Sequence, residues 1–373
     1  MSHPVPRNIR IMDSEAITRN MQSIRTIVPD TAKIMAVVKA DGYGHGALLA
    51  ARAALAGGAD MLAVATADEG SLLRAAGISA PILVLGAVAG ADAEEGVEND
   101  LIQTVCNPEM IRICEKASAK LGKQTEVHIK IDTGMGRIGV RTEDALCELL
   151  SALNKAEHLH LTGAFTHFSD ADDGEEGEAY TEAQFKRFLD MTALLPDGLI
   201  RHCANSAAIQ RHPEMSLEMV RAGISLYGYP PVPSELQLKP CMRWMCRVSY
   251  IHEVPAGAYI SYGRTYRTDH PARIAAITCG YGDGYHRCAS GKAEVLIRGR
   301  RWKVIGRICM DQMMVDITGD QEIQEGDPVV LMGRSGQEEI TAEDIAGWCQ
   351  TISYEILLSS GSRVTRIRAD ETV

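Results

Sequence analysis

The strongest constraint on this chain is an alternation. Between residues 30 and 230, short apolar, β-branched runs take turns with stretches of helical period. The runs occupy 34–38, 61–64, 82–85, 101–105, 127–131, 159–165, 199–203 and 224–227. Helical patterns fill 47–56, 68–76, 108–121, 143–154 and 181–194. Short apolar runs separated by helices belong to parallel βαβ units, and eight such strands are the number that closes a barrel. An open doubly wound sheet would read similarly, but it should carry a GxGxxG after an early strand. The sequence has none there.

The pattern changes after the proline cluster Tyr229-Pro230-Pro231-Val232-Pro233. Beyond it, alternating runs at 247–252, 274–278, 294–297, 302–308, 313–317 and 328–331 are separated by Gly-Asp, Pro-Ala-Gly and Arg-Ser-Gly turns. This predicts a mostly antiparallel β domain of about 130 residues with a few helices. The expected fold class is therefore α/β: a (β/α)8 barrel over 1–233, then a mostly antiparallel β domain over 234–373. The first ten residues are open to packing with the β domain.

Composition narrows the function. A net charge of -11, with no basic run or Lys/Arg-aromatic stripe, argues against a nucleic-acid partner. The first twenty residues hold no apolar core of signal-peptide length. No segment approaches the roughly 18 apolar residues of a membrane span. Ten scattered cysteines without a CxxC pair read as free thiols and lend no support to a zinc site. The expectation is a cytoplasmic protein without a metal. The acidic stretch 170–182 reads as a solvated loop and helix start.

Chemistry concentrates first at Val37-Val38-Lys39-Ala40-Asp41-Gly42-Tyr43-Gly44-His45-Gly46. A lysine at the end of a barrel strand lies where barrel enzymes keep their chemistry. A desolvated amine there can lose its proton and form a Schiff base with an aldehyde cofactor. The glycines after it let the backbone turn sharply and approach a bound group. Further strings follow in order: KIDTGMGRIG at 130–139, FTHFSDAD at 165–172, HCANSAAI at 202–209 and MVRAGISLYG at 219–228. Then come ISYGRTY at 260–266, GYGDGYHR at 280–287, GRICMDQMMVD at 306–316 and TISYEIL at 351–357. Together they resemble the alanine racemase family along nearly the whole chain. The departures are terminal: an early aromatic residue is missing, and SRVTRIRAD lacks the family's usual proline and tyrosine.

The resemblance implies pyridoxal 5'-phosphate, a small amino-acid substrate and a homodimer whose active site is shared between subunits. It also implies interconversion of L- and D-alanine, which supplies D-alanine for peptidoglycan. Lys39 and Tyr262 would be the two bases, with Tyr262 reaching the site from the partner. A phenol ordinarily holds its proton until about pH 10, so such a base needs help from nearby positive charge; His167 and Arg221 are the named helpers. Ser206, Gly223, Ile224, Tyr43 and Tyr354 would hold the phosphate, beside Asn205. His167 would pack on the cofactor ring. Arg221 would face the pyridine nitrogen, where full electron sinks place a carboxylate; a permanent cation there disfavours protonation and so suppresses transamination. Arg137 would bind the substrate carboxylate, oriented by a Lys130 open to carbamylation, together with Met310 of the Met310-Asp311 segment. Tyr281, Arg287 and Arg307 would line the substrate channel.

Three other readings compete. A non-catalytic cofactor-homeostasis barrel needs no second domain, so residues 234–373 argue against it. A decarboxylase on a related barrel should prefer an acidic partner at the ring nitrogen, so Arg221 discriminates. A serine or broad small amino-acid racemase stays open, because a pocket for a methyl group does not strongly reject an added hydroxyl. Serine-preferring relatives often carry asparagine at the position of Tyr354, which favours alanine.

Overall fold

The computed structural model describes residues 7–371. Of the ten N-terminal residues, 1–6 lie outside the described residues. The chain forms two compact units: Glu15–Lys239, and the described residues before Glu15 together with those from Pro240 onward. The division falls past the proline cluster, at Lys239/Pro240.

The chain opens with strand β1 (Asn8–Met12), which belongs to the second unit. The first unit contains eight parallel strands: β2 (Lys33–Val37), β3 (Met61–Val64), β4 (Ile82–Ala87), β5 (Ile102–Val105), β6 (Thr125–Lys130), β7 (Leu159–Phe165), β8 (Ile200–His202) and β9 (Met219–Ala222). They pair in the order β8-β7-β6-β5-β4-β3-β2-β9. The Arg221 N–H donates to Ala204 C=O at 2.9 Å, linking β9 to the end of β8, so the sheet is a nearly closed barrel. Helices follow the strands in turn. One of them has both a built start and a built stop: Pro108–Leu121 begins with Asn107 accepting from the Met110 N–H and a proline in its first turn. It ends at Gly122 with φ 64. Strands buried on both faces explain the continuous apolar runs.

The eighth strand is not where the sequence predicts it. Residues 224–227 form a 3-10 turn, and the strand is Met219–Ala222. Gly223 breaks the strand at φ -105, ψ -108, and Gly228 closes the turn at φ 96. The buried Ile-Ser-Leu-Tyr run imitates a strand because both structures bury apolar side chains. Gly223 and Ile224 therefore leave the C-terminal end of a strand, where barrel chemistry sits.

The second unit is built on a nine-stranded, mostly antiparallel sheet. Its long strand β10 (Met242–Val254) pairs with β1, with Ala272–Ile277 and with Pro328–Ser335. Thr365–Arg368 runs parallel to β1 at the edge. Each alternating run foreseen in the sequence has a strand here, whereas the pairing of β1 with a segment some 230 residues away leaves no local signal.

Candidate active site

Strand β2 ends at Val37, and Lys39 follows two residues later. The next five residues, Ala40, Asp41, Gly42, Tyr43 and Gly44, take φ of 51, 54, 60, 51 and 80. This is a left-handed turn with three non-glycine residues, each of which costs roughly 1–2 kcal/mol in that conformation. Several contacts hold it. The Gly42 N–H donates to Val38 C=O at 2.9 Å, and the Gly44 N–H to Ala40 C=O at 3.1 Å. Asp41 accepts from the Ala47 N–H at 2.8 Å, while His45 Nδ1 lies 2.9 Å from Tyr43 C=O. The Tyr43 and Tyr227 rings stack at 4.8 Å, and Tyr227 Oη donates to Val37 C=O at 3.0 Å. Burial lowers the proton affinity of the Lys39 amine. Arg137 and Arg221 lower it further, while Glu69 opposes them. An amine so placed gives up its proton more readily than an ordinary lysine.

Three of the expected phosphate groups meet at Gly223. A Cβ built there would stand 3.1 Å from Tyr43 Oη and 3.6 Å from Ser206 Oγ. The absent side chain leaves a cradle between two hydroxyls. Ser206 Oγ accepts from the Gly223 N–H at 2.9 Å and the Ser225 N–H at 3.4 Å, so its proton is available to donate. Asn205 caps the next turn, accepting from the Ala207 and Ala208 N–H groups at 3.1 and 3.0 Å. Ile224 follows, buried. Two hydroxyls facing a position without a side chain fit a phosphate.

Arg221 is buried on β9, and among the described residues its hydrogen-bond partners are all neutral acceptors. Nη1 donates to His202 Nδ1 at 3.0 Å and His202 C=O at 2.9 Å. Nη2 donates to Thr166 C=O at 2.8 Å, Cys203 C=O at 2.9 Å and His167 Nδ1 at 3.2 Å. Since both histidines accept at Nδ1, each carries its proton on Nε2. That of His202 faces His128 Nδ1 at 3.0 Å. Burial, then the Arg221 charge, holds His167 and His202 well below the ordinary histidine range, so both are neutral at pH 7. Burial lowers Arg221 itself to about 10, and it stays cationic at neutral pH.

Lys130 is buried at the end of β6, 5.1 Å from the Phe165 ring centroid, donating to Ile131 C=O at 3.3 Å. Burial first, then Arg221 and Arg137, lower it to about 7, against the opposing charge of Asp132. Arg137 is exposed on the loop that follows, whose turn is set by Asp132 accepting from the Gly134 and Gly136 N–H groups at 3.1 and 3.0 Å.

The remaining expected residues belong to the second unit. Tyr262 begins a short 3-10 turn after Ser261, is 69% exposed, and follows a hydroxyl that donates to Arg307 C=O at 2.6 Å. The Tyr281 N–H donates to Cys309 C=O at 3.0 Å and the Gly282 N–H to Met310 C=O at 2.8 Å. The segments bearing Tyr262, Tyr281, Arg307 and Met310 are thus drawn together. Asp283, fully buried, pins them by accepting from Arg7 and Arg363, each at 2.8 Å. Arg363 also donates to Met310 C=O at 3.2 Å. Arg287 is exposed on its own 3-10 turn, and Tyr354 is half-buried on the helix Ser353–Leu358. The sequence reading missed Asp283, His202, Tyr227 and Glu69. The first three stand inside or beside quoted motifs, and only their spatial partners give them a role.

Fold and side chains together define a class: a lysine-bearing (β/α)8 barrel with an anion cradle at its strand ends, joined in one chain to a β-sheet unit. Two family descriptions match it, "Alanine racemase, N-terminal domain" over residues 12–231 and "Alanine racemase, C-terminal domain" over 241–368. An alanine racemase of Symbiobacterium thermophilum is 43% identical over 368 residues, covering 97% of each chain. The crystal structure of alanine racemase from E. faecalis superposes with a TM-score of 0.92 at 34% identity, covering 97% of this chain and 98% of that one. That from Bartonella henselae, with covalently bound pyridoxal phosphate, gives 0.88 at 28% identity, covering 98% and 100%. The chain belongs to the alanine racemase family.

Proposed function

We propose that this chain interconverts L- and D-alanine with pyridoxal 5'-phosphate, as a cytoplasmic homodimer that supplies D-alanine for peptidoglycan. The observation that carries this reading is Arg221: a buried cation with no carboxylate partner among the described residues, in the same barrel as a desolvated strand-end lysine. When bound, pyridoxal phosphate supplies an aldehyde for covalent attachment and a conjugated ring that accepts charge from Cα. Lys39 would hold it, with Tyr43, Ser206, Gly223, Ile224, Asn205 and Tyr354 to receive the phosphate and His167 to pack on the ring. Arg221, a buried cation, would disfavour a proton on a pyridine nitrogen held beside it, which would favour return of a proton to Cα over transamination.

Racemisation takes a proton from one face of Cα and returns one to the other. The Lys39 amine serves one face, the Tyr262 phenol of the partner protomer the other. Arg137 and the Met310 N–H bind the substrate carboxylate, and Tyr281 narrows the approach. A lysine lowered to about 7 is largely neutral at physiological pH, the form that attacks carbon dioxide; Lys130 is therefore suited to carry a carbamate facing Arg137.

The test is direct. Purified protein should be yellow and turn L-alanine into D-alanine without releasing pyruvate. Lys39→Ala should lose the visible absorbance and at least about a thousandfold in rate. Cα-proton exchange in heavy water across a panel of small amino acids settles the substrate; L-serine turnover above that of L-alanine refutes the assignment.

A further inference from the structure

Glu69 stands in the first turn of the helix Ala67–Ala75, which follows β3. Its two carboxylate oxygens are divided between two backbone donors. Oε1 accepts from the Ala40 N–H at 2.5 Å, and Oε2 from the Ala65 N–H at 2.7 Å. Ala40 follows Lys39 and opens the left-handed turn; Ala65 follows the last residue of β3. A single side chain therefore spans the C-terminal ends of neighbouring strands whose register pairs Val37 with Ala63. The hydrogen bonds within the turn run from Gly42 to Val38 and from Gly44 to Ala40, and they do not use the Ala40 N–H. A carboxylate satisfies two such donors at once, whereas an amide offers one acceptor and a competing donor.

We propose that Glu69 is the positioning residue of the cofactor lysine, clamping the left-handed turn so that Lys39 projects from one fixed backbone conformation. The proposal rests on the assignment of Lys39 made above. Charge gives Glu69 a second effect. Among the described residues, the charges acting on the Lys39 amine are the cations Arg137 and Arg221 and the carboxylate Glu69, with neutral His167 nearby. Burial and both arginines weaken the hold on a proton, and Glu69 alone among them strengthens it.

Two variants separate reach from charge. Glu69→Gln keeps the length and loses the charge, while Glu69→Asp keeps the charge and shortens the arm. In the cofactor-loaded protein, amide hydrogen exchange over 38–44 and 62–68 should accelerate about tenfold or more in both. The pH midpoint of the visible absorbance should move downward in Glu69→Gln and stay near wild type in Glu69→Asp. In both, kcat should fall roughly ten- to hundredfold with KM changing less. Unchanged exchange in Glu69→Gln overturns the clamp. A midpoint that moves equally in both variants, or in neither, overturns the electrostatic part. Failure of the Lys39 assignment shows separately, as visible absorbance surviving in Lys39→Ala, and leaves the exchange measurement standing.

Discussion

The proposed chemistry turns on buried side chains that carry charge among neutral partners. Arg221 is the clearest, since its guanidinium is spent on carbonyls and neutral imidazoles. Arg221→Gln removes the cation while keeping a donor. The expected outcome is a partition shift: pyruvate released per racemisation event rises roughly tenfold or more, because ring protonation is no longer disfavoured. Coupling the pyruvate to lactate dehydrogenase measures it, and an unchanged ratio refutes the role. Arg221 was legible in the sequence because MVRAGISLYG is a rare string. Glu69 was not, because ATADEG reads as an ordinary acidic first turn of a helix. Its partner Ala40 lies 29 residues away and offers only a backbone N–H. Residues that act through tertiary hydrogen bonds to backbone carry no composition signal.

Elements were legible where period and length agree. The helices 47–56 and 108–121 stand where the apolar spacing put them. Others escaped: the helices Ser14–Arg25 and Gly90–Glu98 were not singled out, and neither were two elements at the strand ends. The 3-10 turn after Gly223 resembled a strand, and the turn after Lys39, sharp as its glycines allow, extends its left-handedness to Ala40 and Tyr43, which do not announce it. The last two border the proposed cofactor site, where the backbone departs from regular geometry. Gly223→Ala tests the cradle. The added methyl would stand 3.1 Å from Tyr43 Oη and press into the space assigned to the phosphate. Cofactor affinity, read by equilibrium dialysis, should weaken about tenfold. An Ala variant that binds pyridoxal phosphate as tightly as wild type would move the phosphate elsewhere.

At the scale of the whole molecule, the expected groups divide between two units that each organise their own share. The barrel unit carries Lys39, Arg221 and the cradle; the sheet unit carries Tyr262, 69% exposed, together with Tyr281 and Met310. If each site takes its lysine from one protomer and its tyrosine from the other, two dead variants should rescue each other. In a hybrid of Lys39→Ala with Tyr262→Phe, one site would collect both lesions and the second would have none. Each homodimer should lose roughly a hundredfold or more in racemisation, the range for removing a general base. After equimolar mixing under conditions that allow subunit exchange, half of the dimers are hybrids and half of their sites intact, so activity should return to about a quarter of wild type. A site confined to one protomer predicts the opposite, because every hybrid site would then keep one lesion and mixing would restore nothing.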